Sequence, residues 1–371
     1  MRNPLTGTLP GFPWDSLAEA KAAARAHPDG IADLSVGTPV DPVAPVIREA
    51  LASVAEVPGY PTTAGTPQLQ EAAFGALRRR FGIGAGDGAA RIAMVPAVGT
   101  KEMIASLPSH LGMGSTDTIV IPELAYPTYE VGALLAGARP VRADGTAQLG
   151  PAPVSMIFLN SPANPSGKIL GVPHLRKVVD WARLRGAIVV SDECYLGLPW
   201  DDEAVSILDD RVHDGDVSGL IAVHSLSKTS SLASYRAGFA AGDPELLGEL
   251  LEVRKHAGLM LPLPVQAAMT AALSDDGHEA AQRERYRRRR DILRPAVEKA
   301  GFRVDDSAGG LYLWATRDEP CRETVDRLAR LGILVAPGDF YGPRGARHVR
   351  IALTASDERI AAAAKRLTAA A

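Results

Sequence analysis

Between residues 91 and 242 the chain alternates short apolar runs with longer amphipathic segments. The runs RIAMVPAV (91–98), DTIVIPELA (117–125), SMIFLN (155–160), AIVVSDECY (187–195) and GLIAVHSLS (219–227) are apolar at successive positions, not at every second one. Strands covered by helices on both faces read this way, as in a parallel sheet. The segments between them, 99–111, 127–138 and 171–186, carry apolar residues at helical spacing and predict helices. RAGFAAG (236–242) predicts one further strand. Such alternation builds βαβ units.

After residue 270 the pattern changes. The charged segment His278–Ala300 predicts a long helix. FRVD (302–305), GLYLWAT (310–316), a helix from about Cys321, GILVAPG (332–338), HVRIALT (348–354) and an alanine-rich closing helix follow. The expectation is an α/β chain with a large, mostly parallel-sheet domain over residues 46–270. A smaller α+β domain covers 271–371, and an N-terminal segment, 1–45, packs with the small domain. At 371 residues, about two domains is the ordinary number.

Composition narrows the partners. Hydrophobic residues are 46% and charged residues 22%, enough for a large core. A net charge of −3 gives no signal for nucleic acid, and the basic run Arg283–Asp291 reads as a solvated helix face. No apolar run approaches the ~18 residues of a membrane span. The N-terminus lacks the apolar core of a signal peptide, so a cytoplasmic protein is expected. Cys194 and Cys321 follow no metal spacing, so no metal is expected; reduced thiols are the simple reading, with one disulfide left open.

Candidate chemistry gathers at the ends of the predicted strands. SMIFLN runs into NSPANPSGK, with Asn160, Asn164 and Gly167; AIVVSDECY ends in Asp192, Glu193 and Tyr195; GLIAV leads into Ser225, Ser227 and Lys228. All three ends belong at the carboxyl edge of one sheet, where ligands bind in open α/β folds. Each residue alone reads as a cap, turn or surface group; three such ends in order, with Arg236 downstream, point to a site.

Asn164, Asp192, Tyr195, Ser225, Lys228 and Arg236, with NPSG and SLSK, resemble the motif set of class I/II fold-type I pyridoxal-phosphate aminotransferases. The resemblance runs from LSVGTPVDP to HVRIALT. Residues 11–47, SDECYLGLPW and GILVAPGDFYGP are further similar to actinobacterial N-succinyldiaminopimelate aminotransferases of lysine biosynthesis. It implies a fold-type I transferase using pyridoxal 5'-phosphate. Lys228 would carry the cofactor as an imine and shuttle the proton; Asp192 would hold the proton on the ring nitrogen; Tyr195 and Asn164 would contact the ring oxygen. Gly99, Thr100 and Lys101, at a strand-to-helix junction suited to an anion, would cradle the phosphate with Ser225, Ser227 and Arg236. Tyr126 would stack on the ring. Gly37, Asn164 and Arg350 would take the substrate α-carboxylate, and Tyr60 would reach the neighbouring subunit's phosphate in a homodimer with composite sites. The substrates implied are N-succinyl-LL-2,6-diaminopimelate and 2-oxoglutarate, with a broad-specificity or aspartate-like aminotransferase as the alternative. For the distal succinyl carboxylate the candidates are the N-terminal segment, Tyr341–Gly345 and the partner subunit.

Other classes fit less well. GAGDGA (84–89) meets a loose dinucleotide-binding pattern but follows a helical run instead of a strand. No G-x-S-x-G elbow of a hydrolase occurs. A cofactor-dependent regulator would carry an appended DNA-binding segment.

Overall fold

The apolar runs pair as strands of one sheet in the computed structural model, which describes residues 7–85 and 90–370. Gly86–Ala89, within the glycine-rich stretch, and the first six residues lie outside the described residues. A 3-10 turn at Pro13–Leu17 and a helix at Ala18–Arg25 precede β1 (Ala32–Asp33). The large sheet is built from β2 (Ala93–Val98), β3 (Thr118–Ile121), β4 (Arg139–Arg142), β5 (Met156–Asn160), β6 (Ile188–Asp192), β7 (Leu220–Ser225) and β8 (Ala237–Gly242). Its spatial order is β2-β8-β7-β6-β5-β3-β4. Strand β8 runs antiparallel to β2 and β7, and the other neighbours pair in parallel.

The continuous apolar runs are explained by two covered faces. Met156 and Phe158 of β5 enter one core, and Ile157 and Leu159 enter the other. The same division separates Val189 from Val190 in β6, and Ala222 from Val223 in β7. Side chains alternate across a strand, so burial on both faces demands apolar residues at every position. The helix Pro67–Phe81 shows how local signals set element ends. Thr66 accepts from the Leu69 N–H at 3.2 Å, Pro67 opens the first turn, and Gly82 closes the helix at φ +71°.

The smaller sheet comprises β9 (Arg303–Asp305), β10 (Tyr312–Thr316), β12 (Ala336–Pro337) and β13 (His348–Ala352), antiparallel in the order β12-β13-β10-β9. Between them in sequence, β11 (Ile333–Leu334) pairs in parallel with β1. Leu17, Ala20 and Ala24 share a core with Val325 and Leu328 of the helix Cys321–Arg330. The N-terminal segment is thereby tied to this sheet. Both cysteines are buried and free, so no disulfide joins them.

Two details differ from expectation. The long helix runs Asp276–Lys299, starting earlier than His278 because Asp275 caps it through the Gly277 and His278 N–H groups. The basic run is also not wholly a solvated face. Gln282, Tyr286, Arg289 and Leu293 recur at helical spacing and form a buried stripe. Arg289 falls in that stripe, where Asp41 and Asp357 neutralise it. Arg287 and Arg288 remain half exposed.

Candidate active site

The carboxyl ends of β2, β5, β6 and β7 open on one edge of the large sheet. Strand β8 runs antiparallel to β7 and so starts at that edge, where Arg236, directly before it, joins them. A cavity of about 750 Å³ lies there.

At the end of β6, Asp192 is buried. It accepts from the Tyr129 hydroxyl at 2.7 Å and from the Cys194 N–H at 3.1 Å. Burial pushes its carboxyl above the usual range, against those hydrogen bonds and the nearby Lys228 charge. A cation brought against such a carboxylate is strongly held. Asn160, ending β5, folds the next loop back: its amide donates to the Asp192 carbonyl at 2.8 Å, and its carbonyl oxygen accepts from the Asn164 N–H at 2.6 Å. Asn164 is thereby placed over the site. The peptides Ser161–Pro162 and Asn164–Pro165 in this loop are cis.

Lys228 follows β7 by three residues, and its amine donates to the Gly37 carbonyl. At the other end of the cavity, the helix Thr100–His110 begins with no side-chain cap. Arg236 stands so close to Gly99 that a Cβ there would lie 2.1 Å from its Nη2. Lys101 donates to the Thr128 hydroxyl at 3.2 Å and sits 5.4 Å from the Tyr126 ring centre. Burial and Arg236 pull the Lys101 amine below its usual range. Two crowded cations at an uncapped helix start, beside Ser225 and Ser227 in the same cavity wall, fit a phosphate dianion.

Arg350 in β13 has 2% exposure. It donates to the Asn164 carbonyl oxygen at 2.9 Å and to the Ser35 carbonyl at 2.7 Å, and it lies 4.0 Å from the Tyr312 ring centre. Its Nε has no hydrogen-bond partner among the described residues. A buried guanidinium held only by neutral groups is costly unless a ligand supplies the counter-charge. Tyr195 and Tyr312 share a hydrogen bond at 3.0 Å, and burial raises the Tyr195 phenol well above its usual value. Tyr312 stands over Gly37, where a Cβ would come within 2.1 Å of its hydroxyl.

Gly37, Thr100, Lys101, Tyr126, Asn164, Asp192, Tyr195, Ser225, Ser227, Lys228, Arg236 and Arg350 therefore line one cavity, and Gly99 lies directly beneath Arg236. Tyr60 does not line it; it is 93% exposed on the surface. Sequence reasoning missed Tyr129 and Tyr312, which read as ordinary core aromatics of a helix and a strand. It also missed Phe12 and Trp14, which line the same cavity. Arg344, considered for a distal carboxylate, is instead near Glu123 and Asp144, 3.7 and 3.8 Å away, and does not line the cavity.

Two cations at an uncapped helix start, a buried carboxylate and a lysine, gathered at one sheet edge, are groups that pyridoxal phosphate can use. The chain belongs to the class I and II aminotransferases, whose family model matches residues 29–367. It is 64% identical to the probable aminotransferase Rv1178 of Mycobacterium tuberculosis, over 99% of this chain and 87% of that protein. It is 58% identical to the 4-dedimethylamino-4-oxo-anhydrotetracycline transaminase OxyQ of Streptomyces rimosus, over 97% of this chain and 99% of that one. The N-succinyldiaminopimelate aminotransferase structure from Mycobacterium tuberculosis shares the fold, with TM-score 0.86, 24% identity and full coverage of both chains. The protein is thus a pyridoxal-phosphate-dependent aminotransferase.

Proposed function

We propose that Lys228 carries the cofactor and moves the substrate proton, and that Arg350 with Asn164 and Gly37 receives the α-carboxylate. The observation that carries this reading is Arg350, buried without a counter-ion among the described residues, in the cavity that Lys228 enters. Bound pyridoxal phosphate supplies the electron sink that stabilises the carbanion left at Cα. Around it, Asp192 holds the ring-nitrogen proton, and Tyr195 and Asn164 hold the ring oxygen. Tyr126 covers the ring face, and Gly99, Thr100, Lys101, Ser225, Ser227 and Arg236 hold the phosphate. Lys228 takes the proton from Cα and returns it. The exchange balances, since the donor's amine becomes a carbonyl as the acceptor's carbonyl becomes an amine.

For the substrates we favour N-succinyl-LL-2,6-diaminopimelate and 2-oxoglutarate, supported by the resemblance of the long terminal stretches that flank the site. A second reading, a bulkier apolar or aromatic substrate, is favoured by Phe12 and Trp14 in the cavity lining. The cations lining the cavity among the described residues, Lys101, Lys228, Arg236 and Arg350, all have inner assignments. A distal carboxylate would therefore need a group from elsewhere. The name of the 58%-identical relative, OxyQ, points the same way. We further propose a cytoplasmic homodimer in which Tyr60 completes the partner's site, with the chain divided at about residues 45 and 270.

The test is kcat/KM for the succinylated donor beside aspartate, alanine, an aromatic donor and free diaminopimelate, with Lys228→Ala as the control. The succinylated donor should lead by tenfold or more, and Lys228→Ala should lose turnover and the visible absorbance of bound cofactor. An aromatic donor ahead by tenfold selects the second reading. A fully active alanine variant removes Lys228 from the mechanism.

A further inference from the structure

One face of the helix Asp276–Lys299 touches Lys228 at its backbone and reaches, through one strap of chain, the carbonyl that holds its amine. Tyr286, fully buried on that helix, donates its hydroxyl to the Lys228 main-chain carbonyl at 2.9 Å. One turn further on, Arg289 grips Asp41 through two nitrogens at 2.8 and 2.6 Å, and Gln282 donates to the same carboxylate at 2.8 Å. Asp41 lies four residues beyond Gly37, whose carbonyl accepts from the Lys228 amine. The same strap gives the Ser35 carbonyl to Arg350 and the Val36 carbonyl to Thr354.

Residues 282, 286 and 289 share a helix face by spacing. A lysine amine sits on a flexible four-carbon stem, so its location is only as definite as its backbone and the group that receives it. Here both depend on the same three rungs. Stability alone is a weak reason for them: a buried ion pair such as Arg289–Asp41 is often no better than apolar packing.

We propose that Tyr286 is a positioning residue for Lys228, acting with the Arg289–Asp41 pair to set where the amine stands against Gly37. The proposal rests on Lys228 being the lysine that carries the cofactor. Tyr286→Phe removes one hydroxyl and keeps the ring. Because one hydrogen bond is at stake, kcat should fall about three- to tenfold with little change in KM. Two readouts are independent of turnover. The pH midpoint of the lysine-bound cofactor's visible absorbance should move by about half a unit or more, and the apo-protein should recombine with pyridoxal phosphate more slowly in stopped-flow absorbance. Asp41→Asn, which weakens the grip of Arg289 from the other side, should shift both in the same direction and serves if Tyr286→Phe does not fold. A lowered melting temperature with midpoint and recombination rate unchanged overturns the proposal, as does no change at all. Visible absorbance that survives in Lys228→Ala would instead remove the reading beneath it.

Discussion

At the scale of single residues, the site is shaped as much by missing side chains as by present ones. Gly99 has φ +77° and ψ 145°, a combination nearly confined to glycine, and a Cβ there would strike the Arg236 guanidinium at 2.1 Å. Gly99→Ala should therefore displace Arg236 from the phosphate end. With strain of about 1–3 kcal/mol, cofactor affinity should fall roughly five- to a hundred-and-fiftyfold, read by equilibrium dialysis of apo-protein with pyridoxal phosphate. Unaltered affinity would mean that Arg236 does not hold the phosphate. Lys228, Asp192 and Arg350 were legible in the sequence because a charged residue in or after an apolar strand violates the pattern around it. Tyr129, Tyr286 and Tyr312 were not, because a buried aromatic obeys the pattern and only its hydroxyl has a task. The hydroxyl's partner lies 63, 58 and 117 residues away respectively, and no local spacing announces that.

At the scale of elements, the strand pattern transferred well to the sheet because burial on two faces leaves no choice of residue type. The long helix transferred less well, since Arg289 looks like its exposed neighbours until its stripe is traced. On the side of β6 and β7 away from the cofactor cavity, two ionisable groups are buried together. Glu193 accepts from the Ser206 hydroxyl and the Ile207 N–H, both at 2.7 Å, and lies 3.6 Å from the His224 ring. Burial raises Glu193 to about 7 and lowers His224 to about 3, from ordinary values of 4.5 and 6.5. The signs oppose. Folded Glu193 keeps its proton longer than the unfolded chain does, so its contribution is intact below 4.5 and is lost as pH rises through about 7. Folded His224 resists its proton, so its contribution is intact above 6.5 and is lost as pH falls through about 3. Each changes stability by up to about 1.4 kcal/mol per pH unit within its window. Between 4.5 and 6.5 the two slopes offset each other. Relative to wild type, Glu193→Gln should gain stability steadily as pH rises from 4.5 to 7, and His224→Phe should gain it as pH falls from 6.5 to 3. Urea unfolding at several pH values measures both, and curves parallel to wild type would show that neither group titrates as described.

At the scale of the whole molecule, the cavity is furnished by distant parts of one chain, yet one predicted contributor stands apart. Tyr60 is 93% exposed, and Val40, Val46 and Val57, near it in sequence, are also exposed. A contiguous patch of such groups would mark a place where another surface belongs, and the proposed second copy, related by a two-fold axis, would be its simplest occupant. If Tyr60 reaches the partner's phosphate, lesions in Tyr60 and Lys228 fall in different sites of a mixed dimer. A subunit with Tyr60→Phe keeps its own lysine and receives an intact tyrosine from a Lys228→Ala partner, so one site carries neither lesion and the other carries both. Random exchange at equal amounts makes half the molecules mixed, which leaves about a quarter of all sites intact. Activity after exchange should therefore rise above the mean of the two unmixed variants, given that Tyr60→Phe alone is impaired. Differently tagged subunits isolated as a mixed dimer make the comparison direct. A mixed dimer no more active than half the Tyr60→Phe homodimer would place Tyr60 within its own subunit or outside catalysis, and the composite-site reading would fall while the assignments within the cavity stand.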